Sequence, residues 1–245
     1  MSRREERSLR PFPPDAENLV LEAMIAEDRA ALLDVADRVT FRRGDFLFRA
    51  EGDVRHVYFP TSGMLSVVTR MQDGSMVESI TIGKEGMTGP PIVAAQGVVS
   101  NVECICQLPG DGLRVPTEAF FELRRRSDTF AELVERCAQV AFGHIAQTAA
   151  CNRLHPIEAR TSRWLLQAHD RMGDDFLPLT QEFLAEMLGV RRETVNLAAR
   201  ILQRADLIDY RRGEVRIRDR AGLESTSCEC YGVIRGELER LFPFL

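Results

Sequence analysis

One short segment carries six polar side chains of the types that bond to nucleic-acid bases and phosphates. It lies in the stretch LTQEFLAEMLGVRRETVNLAARILQRADLI, residues 179–208. Arginine can bond bidentately to guanine, asparagine to adenine, and glutamate can accept from the cytosine amine. The candidates are Arg191, Arg192, Glu193, Thr194, Asn196 and Arg200. Together they could form a surface that reads DNA.

Two short helices joined by a tight turn are predicted to position these side chains. Thr180 is placed to cap the first helix, in which apolar residues recur at helical spacing. Gly189 breaks this pattern where the backbone needs a conformation that a side chain would oppose. Small Ala185 lets the second helix, from about residue 191 to 204, approach the first. This spacing is typical of a helix-turn-helix, whose second helix enters the DNA major groove.

A predicted hairpin after the second helix distinguishes this segment from an ordinary helical bundle with a solvated face. Residues 209–210 and 215–217 read as strands, and Arg211 and Arg212 lie in the turn between them. A hairpin at this point forms the wing of a winged helix-turn-helix, and its arginines can reach backbone phosphates. The predicted contacts to the DNA backbone are Thr180, Arg191, Thr194, Arg200, Arg211 and Arg212.

The charge distribution supports a local phosphate-binding surface. The 245-residue chain has a net charge of −5, but residues 189–220 contain nine arginines against five acidic residues. No apolar run approaches the length of a membrane span, and the N-terminal stretch MSRREERSLRPFPPD lacks the apolar core of a secretory signal. We therefore expect a cytoplasmic protein with no membrane partner, in which the six cysteines are reduced.

Upstream of the helix pair the sequence predicts an α+β chain. Short β-branched and aromatic segments between residues 39 and 116 alternate with glycines, which is typical of an antiparallel β-roll. The clearest strands are 46–48, 56–59, 65–68, 79–82 and 102–108, with a hairpin at Asp73-Gly74. Helices are predicted before and after this region, including a long one from about 128 to 153, and Asp28 is a candidate cap. The predicted domains are a flexible arm (1–15), the β-roll (16–126), the long helix (127–154), the winged helix-turn-helix (155–224) and a helical tail (225–245).

One stripe of the long helix recurs at steps of three and four residues, which is nearly heptad spacing. Such a stripe can pair with a copy of itself, or it can pack onto the β-roll of its own chain. Small residues on the same helix favour close contact between two helices, so we predict a homodimer. The predicted dimer seam consists of Phe130, Val134, Cys137, Ala141, Ile145 and Thr148.

Taken in order, these elements resemble the Crp/Fnr family of bacterial transcription regulators. The resemblance covers nearly the whole chain and is closest in LTQEFLAEMLGVRRETV, while RRGDFLFRAEGD and YFPTSGMLSVV are similar to the family's early strands. It implies a cyclic-nucleotide-binding-like jelly roll as the sensor, a long dimerisation helix and a C-terminal winged helix-turn-helix. It also implies a homodimer on a two-fold symmetric double-stranded DNA operator, with half-sites one helical turn apart. An activator of this type would also contact RNA polymerase.

The loop that binds cyclic nucleotides in this family departs from the family pattern. Nucleotide-binding members have a Gly-Glu pair and, further along the loop, an arginine followed by a small residue. Here Gly89 matches, but Pro90 stands in place of the acid, and Val99, Ser100 and Asn101 span the place of the arginine. Proline cannot bond to a ribose hydroxyl, and no cation is left for the phosphate. Cyclic AMP is therefore not the expected effector, and the sequence names no other.

The recognition helix departs from the family at one position. By resemblance, Arg192 and Glu193 occupy base-reading positions and Thr194 a backbone-contacting one. Leu197, preceded by Asn196, stands where the family commonly has an arginine. Leucine can pack on a thymine methyl group but cannot pair with guanine. We predict that Arg192, Glu193, Asn196 and Leu197 read bases, and that the operator differs from the family's best-known sites at that base.

The cysteines predict neither a cofactor nor a metal. Cys104 and Cys106 alternate onto one face of a strand with apolar neighbours, which favours core packing. Some family members hold an iron–sulfur cluster on N-terminal cysteines, but no cysteine precedes Cys104. Cys228 and Cys230 could sense an oxidant or chelate a metal. Two ligands do not complete a zinc site, however, and no histidine lies close to them in the sequence.

Two other classes of function are weighed against a DNA-binding regulator. The first is a ligand- or redox-sensing protein that acts through protein contacts rather than DNA. The second is an enzyme built on the β-roll, which would need a bound metal. The four histidines form no HxH or HExxH arrangement, and no nucleophile motif or phosphate loop stands out. The prediction is therefore a transcription regulator and not an enzyme.

Overall fold

The computed structural model describes residues 17–89, 100–211 and 213–243, and it has the predicted α+β order. A β-roll is followed by a long helix and then by a C-terminal helical domain with a small sheet. The helices are α1 (Leu19–Ala23), α2 (Ala26–Asp34), α3 (Thr117–Arg126), α4 (Asp128–Leu154), α5 (Ile157–Met172), α6 (Gln181–Leu188), α7 (Arg192–Arg204), α8 (Arg220–Thr226) and α9 (Cys230–Leu241). The strands are β1 (Asp37–Phe41), β2 (Phe46–Phe48), β3 (His56–Pro60), β4 (Met64–Arg70), β5 (Met76–Ile82), β6 (Glu103–Leu108), β7 (Gly110–Pro116), β8 (Phe176–Pro178), β9 (Ile208–Arg211) and β10 (Glu214–Ile217).

The β-roll consists of two antiparallel sheets with the strand orders β1-β7-β3 and β2-β6-β4-β5. The turn between β4 and β5 contains the predicted Asp73-Gly74 pair, and the Asp73 carboxylate accepts from the backbone N–H of Ser75 at 2.9 Å. Cys104 and Cys106 on β6 are fully buried, which confirms their predicted place in the core. The second sheet supplies the surface on which the C-terminal domain rests.

Two polar side chains fasten the N-terminal helices. Asn18 caps α1 by accepting from the backbone N–H groups of Val20 and Leu21, and its amide donates to the carbonyl of Pro60 at 2.8 Å. The prediction that Asp28 caps a helix is wrong, because Asp28 lies inside α2. Its carboxylate instead accepts from the Ser127 hydroxyl at 2.5 Å and so ties α2 to the start of α4.

The side chains of the predicted dimer seam on α4 face the rest of their own chain. Phe130 is 1% exposed and Val134 3% exposed, and both pack in the core formed by the β-roll and α9. Ala141 and Thr148 are also buried, and Cys137 and Ile145 are half-buried. The chain's own sheet and last helix thus cover much of this stripe, and its role as a dimer seam stays a prediction.

The C-terminal domain is built around α5, which is buried along most of its length. Strands β9 and β10 form the predicted hairpin, with Val215 opposite Tyr210, and the short strand β8 extends it to three strands. Neither β8 nor α8 is predicted by the sequence pattern. Within the described ranges, no helix has both the length and the apolarity required to cross a membrane.

The β-roll and the C-terminal domain share one apolar core. This core contains Met64 and Ile105 from the second sheet, and Trp164 and Leu188 from the helical domain. Polar side chains cross the same boundary. The Trp164 indole N–H donates to the Glu78 carboxylate at 3.1 Å, and Arg171 pairs with Glu85 at 2.6 Å with both side chains buried. The position of the helix pair is therefore set by contacts with β5 and the turn that follows it.

Candidate nucleic-acid interface

Local sequence explains the geometry of the two reading helices. The Thr180 hydroxyl caps α6 by accepting from the backbone N–H of Phe183 at 3.3 Å. Gly189 ends α6 in the left-handed region with φ of 62°, which glycine adopts without steric cost. Val190 then donates to the carbonyl of Ala185 at 3.0 Å, which closes the turn. This turn sets the angle at which α7 leaves α6.

The outer face of α7 carries the base-reading candidates. Val195 and Leu202 hold the helix by its buried side, while Arg192, Glu193 and Leu197 are exposed. Leu197 is 59% exposed among charged neighbours, so it has apolar surface free to contact a base methyl group. One shallow concave surface is lined by Arg192, Glu193, Asn196, Leu197 and Arg200. The structure therefore places all four predicted base readers on one accessible surface.

Asn196 has a partner that sequence reasoning missed. Its amide Nδ2 donates to Gln181 Oε1 on α6 at 3.0 Å. This bond uses one of the two amide protons, so the second proton and Oδ1 stay available for a base edge. Gln181 thus orients the asparagine. The contact was missed because the two residues lie far apart in the sequence and meet only across the turn.

The predicted backbone-contacting residues surround this surface. Thr180, Arg191 and Arg200 are exposed, and Thr194 is half-buried. Arg211 is exposed on the wing and pairs with Asp209 at 2.9 Å. Arg212 lies outside the described residues.

A further cation approaches the reading domain from the β-roll. Arg43, in the turn between β1 and β2, donates to the Thr180 hydroxyl at 3.4 Å. Its guanidinium also lies 4.7 Å from the centroid of the Phe183 ring, a distance at which cation–π attraction operates. No sequence signal identified Arg43, because its role depends on how the two domains pack.

A small cavity lies between the β-roll, α4 and α9. Its volume is about 40 Å³, which leaves room for a few water molecules. Its lining includes Ile80, Ile82, Cys137, His144 and Leu241. Burial, with Arg171 and Arg163 nearby, holds the pKa of His144 well below its ordinary value, so this imidazole is neutral. Most of the lining is therefore apolar, and Glu85, the charged residue in it, pairs with Arg171.

The sequence predicts that one loop of the β-roll has lost the residues that bind a nucleotide. Two residues of this loop, Pro90 and Val99, lie outside the described residues. Ser100 is buried, and its hydroxyl donates to the carbonyl of Val102 at 2.8 Å. Asn101 is exposed. Gly89 has a φ of 126°, and a Cβ there would lie 2.7 Å from the carbonyl oxygen of His56, so this position requires glycine.

Comparison with known proteins agrees with this architecture. The model of the Crp-like helix-turn-helix domain matches residues 159–226. A putative Crp/Fnr-family transcriptional regulator from Eubacterium rectale aligns with a TM-score of 0.66 at 18% identity, over 84% of this chain and 96% of the other. FixK2 from Bradyrhizobium japonicum aligns with a TM-score of 0.67 at 14% identity, over 79% and 98%.

A transcriptional regulator of the CRP family from Thermus thermophilus aligns with a TM-score of 0.62 at 19% identity, over 77% of this chain and 96% of its own. No curated protein sequence matches the chain. The structural similarities show the fold, and the domain match shows the helix-turn-helix, so the resemblance noted in the recognition segment is confirmed. Residues 159–226 belong to the Crp-like helix-turn-helix domains, and the chain as a whole has the fold of the Crp/Fnr regulators.

Proposed function

We propose that this protein is a sequence-specific transcription regulator, and not an enzyme, that binds a two-fold symmetric DNA operator as a homodimer in the cytoplasm. The observation that carries the proposal is the outer face of α7. Its exposed residues are able to bond to bases, and a capped helix and a β-hairpin lie on either side of it. In a Crp-like helix-turn-helix this face enters the major groove. Arg192, Glu193, Asn196 and Leu197 then read bases, and the surrounding arginines bind phosphates.

The dimer contact that we propose is one face of α4. The side chains of Ala138, Phe142, Ala146 and Ala149 follow one another at steps of four, four and three residues, so they share one side of the helix. Ala138 is half-buried, and the other three are exposed. Phe142 is 72% exposed, and its neighbours on this stripe are small. A small-residue stripe with one aromatic side chain permits two copies of α4 to approach closely. This stripe lies one residue further along the chain than the seam inferred from sequence.

We propose that this regulator responds to an effector other than a cyclic nucleotide. Pro90 and the Val99-Ser100-Asn101 segment provide neither the acid nor the arginine that such a ligand needs. The small volume of the cavity beside α4, about 40 Å³, is consistent with this proposal. A signal would instead reach α7 through the boundary between the β-roll and the C-terminal domain. If the regulator is an activator, it would also contact RNA polymerase.

The experiment that tests this function is footprinting on the DNA upstream of the protein's own gene. We expect one protected site with two half-sites, and we expect the protection to weaken steeply as salt is raised. The double substitution Arg192→Ala with Glu193→Ala should remove specific protection. Arg38→Ala, an exposed arginine on β1, serves as the matched control and should leave protection unchanged.

A phosphate contact should behave differently from a base contact. Arg200→Ala is expected to lower affinity evenly for specific and random DNA, and to reduce the slope of log affinity against log salt by about one. Specific protection that survives the double substitution would refute the assignment of α7. An absence of salt-dependent DNA binding would instead favour a sensor that acts through protein contacts.

A further inference from the structure

Four side chains with metal-binding atoms meet where the long helix ends. Cys151 lies in the last turn of α4, and His155 directly follows that helix. Cys228 and Cys230 lie at the start of α9. Their sulfur and nitrogen atoms all lie within 4.8 Å of one another. The Sγ atoms of Cys151 and Cys228 are 3.5 Å apart, and Cys230 Sγ is 3.4 Å from His155 Nδ1.

We propose that these four residues bind one zinc ion. Three thiolates and an imidazole form the Cys₃His set of structural zinc sites. A zinc–sulfur bond of about 2.3 Å implies about 3.8 Å between neighbouring ligand atoms of a tetrahedron. The two distances at 3.4–3.5 Å and the upper limit of 4.8 Å bracket that value. An iron–sulfur cluster would hold the cysteine sulfurs further apart, because several metal and sulfide atoms lie between them.

Residues around the four ligands already orient them. His155 Nε2 lies 3.2 Å from a Glu229 carboxylate oxygen, so a proton on Nε2 leaves Nδ1 free to bind metal. A carboxylate on the second nitrogen is the usual support of a histidine that binds zinc. The Gln147 amide donates to Cys230 Sγ at 3.0 Å. A hydrogen bond to sulfur favours the thiolate, which is the form that binds metal.

The charge around the cluster also suits bound thiolates. Three thiolates with one Zn²⁺ and a neutral imidazole carry a net charge of −1. Arg160 and Arg163 are buried close by, and the Nε of each has no hydrogen-bond partner among the described residues. The two arginines would compensate the charge of the zinc site.

The position of the site indicates a structural role. Cys151, Cys228 and Cys230 form a small buried cluster with Ala159, separate from the β-roll cavity and from the outer face of α7. Helix α9 packs along α4, and α5 leads from this point into the reading domain. A zinc ion here would fasten the C-terminal tail to the end of the long helix. It would also hold in place the junction between α4 and α5, from which the C-terminal domain begins.

The test is the metal content of the full-length protein, purified under reducing conditions from zinc-supplemented cells. We expect one zinc ion per chain. Cys228→Ser and Cys230→Ser should each abolish it, whereas the matched control Cys137→Ser on α4 should retain it. Co²⁺ added to the zinc-free protein should give the intense visible absorption of a tetrahedral thiolate site. A chelator should lower the Tm of the wild-type protein, a measurement that does not depend on the variants folding.

Several results would overturn the zinc site. Protein that contains no zinc and gives no tetrahedral Co²⁺ spectrum excludes it, as does zinc that survives Cys228→Ser. Iron with inorganic sulfide would indicate a cluster. A Cys151–Cys228 disulfide in freshly isolated metal-free protein would indicate an oxidant-sensing pair. Zinc content is measured without DNA, so this proposal and the proposed DNA binding can fail independently.

Discussion

Gly189 lies where the helix pair α6–α7 packs against strand β5 of the β-roll. Its φ of 62° disfavours any side chain, and a Cβ there would lie 2.9 Å from Val77 Cγ2 on β5. Gly173 has nearly the same conformation, with φ of 64°, but a Cβ at that position would meet nothing within 4 Å. The two glycines therefore form a matched pair in which only one touches the other domain.

We predict that Gly189→Ala destabilises the protein more than Gly173→Ala does. Both substitutions should cost about 1–2 kcal/mol for the left-handed conformation. Gly189→Ala should cost an additional amount because β5 must shift. Urea unfolding of the two variants measures the difference, and Val77→Ala in the Gly189→Ala background should reduce it. Equal losses in the two variants would mean that α6 does not rest on β5 in solution.

Glu78 is a buried carboxylate that forms hydrogen bonds but no direct ion pair with any residue that the structure describes. It accepts from the Ser66 hydroxyl at 2.6 Å and from Trp164 at 3.1 Å. Burial raises its pKa above the ordinary value of 4.5, although Arg163 and Arg171 oppose the change. The native state therefore keeps this proton to a higher pH than the unfolded chain does. As a result, the free energy of unfolding decreases as pH rises above 4.5.

We predict that Glu78→Gln keeps the neutral hydrogen bonds and removes this pH dependence. At pH 8 the variant should be more stable than the wild type by on the order of 1 kcal/mol, and at pH 4 the two should be nearly equal. Urea unfolding at both pH values provides the measurement. As a control, Glu103→Gln on β6 should lose stability, because Glu103 pairs with Arg70 at 2.8 Å. A constant difference between Glu78→Gln and wild type across pH would refute the raised pKa.

The sequence predicts where a side chain points when the periodicity of its own helix decides which side of the helix it occupies. The outer face of α7 follows from helical periodicity, so Arg192 and Leu197 were found in the sequence. Gln181, Arg43 and the pairing of Cys151 with Cys228 were not, because each joins segments that meet only in the folded chain. The sequence has no histidine close to Cys228, whereas His155 lies close to it in space.

At the scale of elements, the same reasoning identified strands with a clear apolar pattern and missed the others. Strands β2 to β6 contain the runs of β-branched and aromatic residues that predict strands. Strand β1 reads DRVTF and β7 reads GDGLRVP, with charged residues and glycines that are poor strand formers. They are strands because each pairs with a neighbour, with Val39 opposite Gly112. Tertiary pairing, rather than local propensity, fixes them.

The long helix shows a second limit of pattern reading. Helix α4 has two stripes at near-heptad spacing, and the sequence alone does not say which one faces outward. The more apolar stripe is covered by the β-roll and α9, and this leaves the stripe of Ala138 and Phe142 for a partner. The side of α4 that we propose as the dimer contact is therefore the side that its own chain leaves uncovered.

We predict that Phe142→Glu converts the dimer into a monomer. A charge on the exposed stripe would be buried and unpaired at the interface, which weakens association by several kcal/mol. Met71→Glu is the matched control, since Met71 is 57% exposed but lies in the β4–β5 turn rather than on α4. Sedimentation equilibrium distinguishes the two states, and DNA affinity should fall with the loss of the dimer. A dimeric Phe142→Glu protein would exclude this face.

At the scale of the molecule, the β-roll and the C-terminal domain share one buried core. Trp164 is the only tryptophan of the chain, is fully buried and lies in the common core. The ion pair of Arg171 with Glu85 crosses the same boundary, and both side chains are at most 4% exposed. Breaking such a pair by removing one partner leaves a buried charge and costs about 3–5 kcal/mol. Because Trp164 is the single tryptophan and is buried in the shared core, its fluorescence reports the contact between the two domains.

We predict that Arg171→Met separates two unfolding transitions that coincide in the wild type. Without the arginine, the Glu85 carboxylate stays buried at the boundary with no ion-pair partner, which weakens the contact between the domains. The fluorescence of Trp164 should therefore change at a lower urea concentration than the helical circular dichroism signal does. Adding Glu85→Gln to Arg171→Met removes the stranded charge and should bring the two transitions together again. Arg114→Met is the control, because Arg114 forms an exposed pair with Asp37 inside the β-roll. Coincident transitions in Arg171→Met at the wild-type midpoint would show that this ion pair does not couple the sensor to the reader.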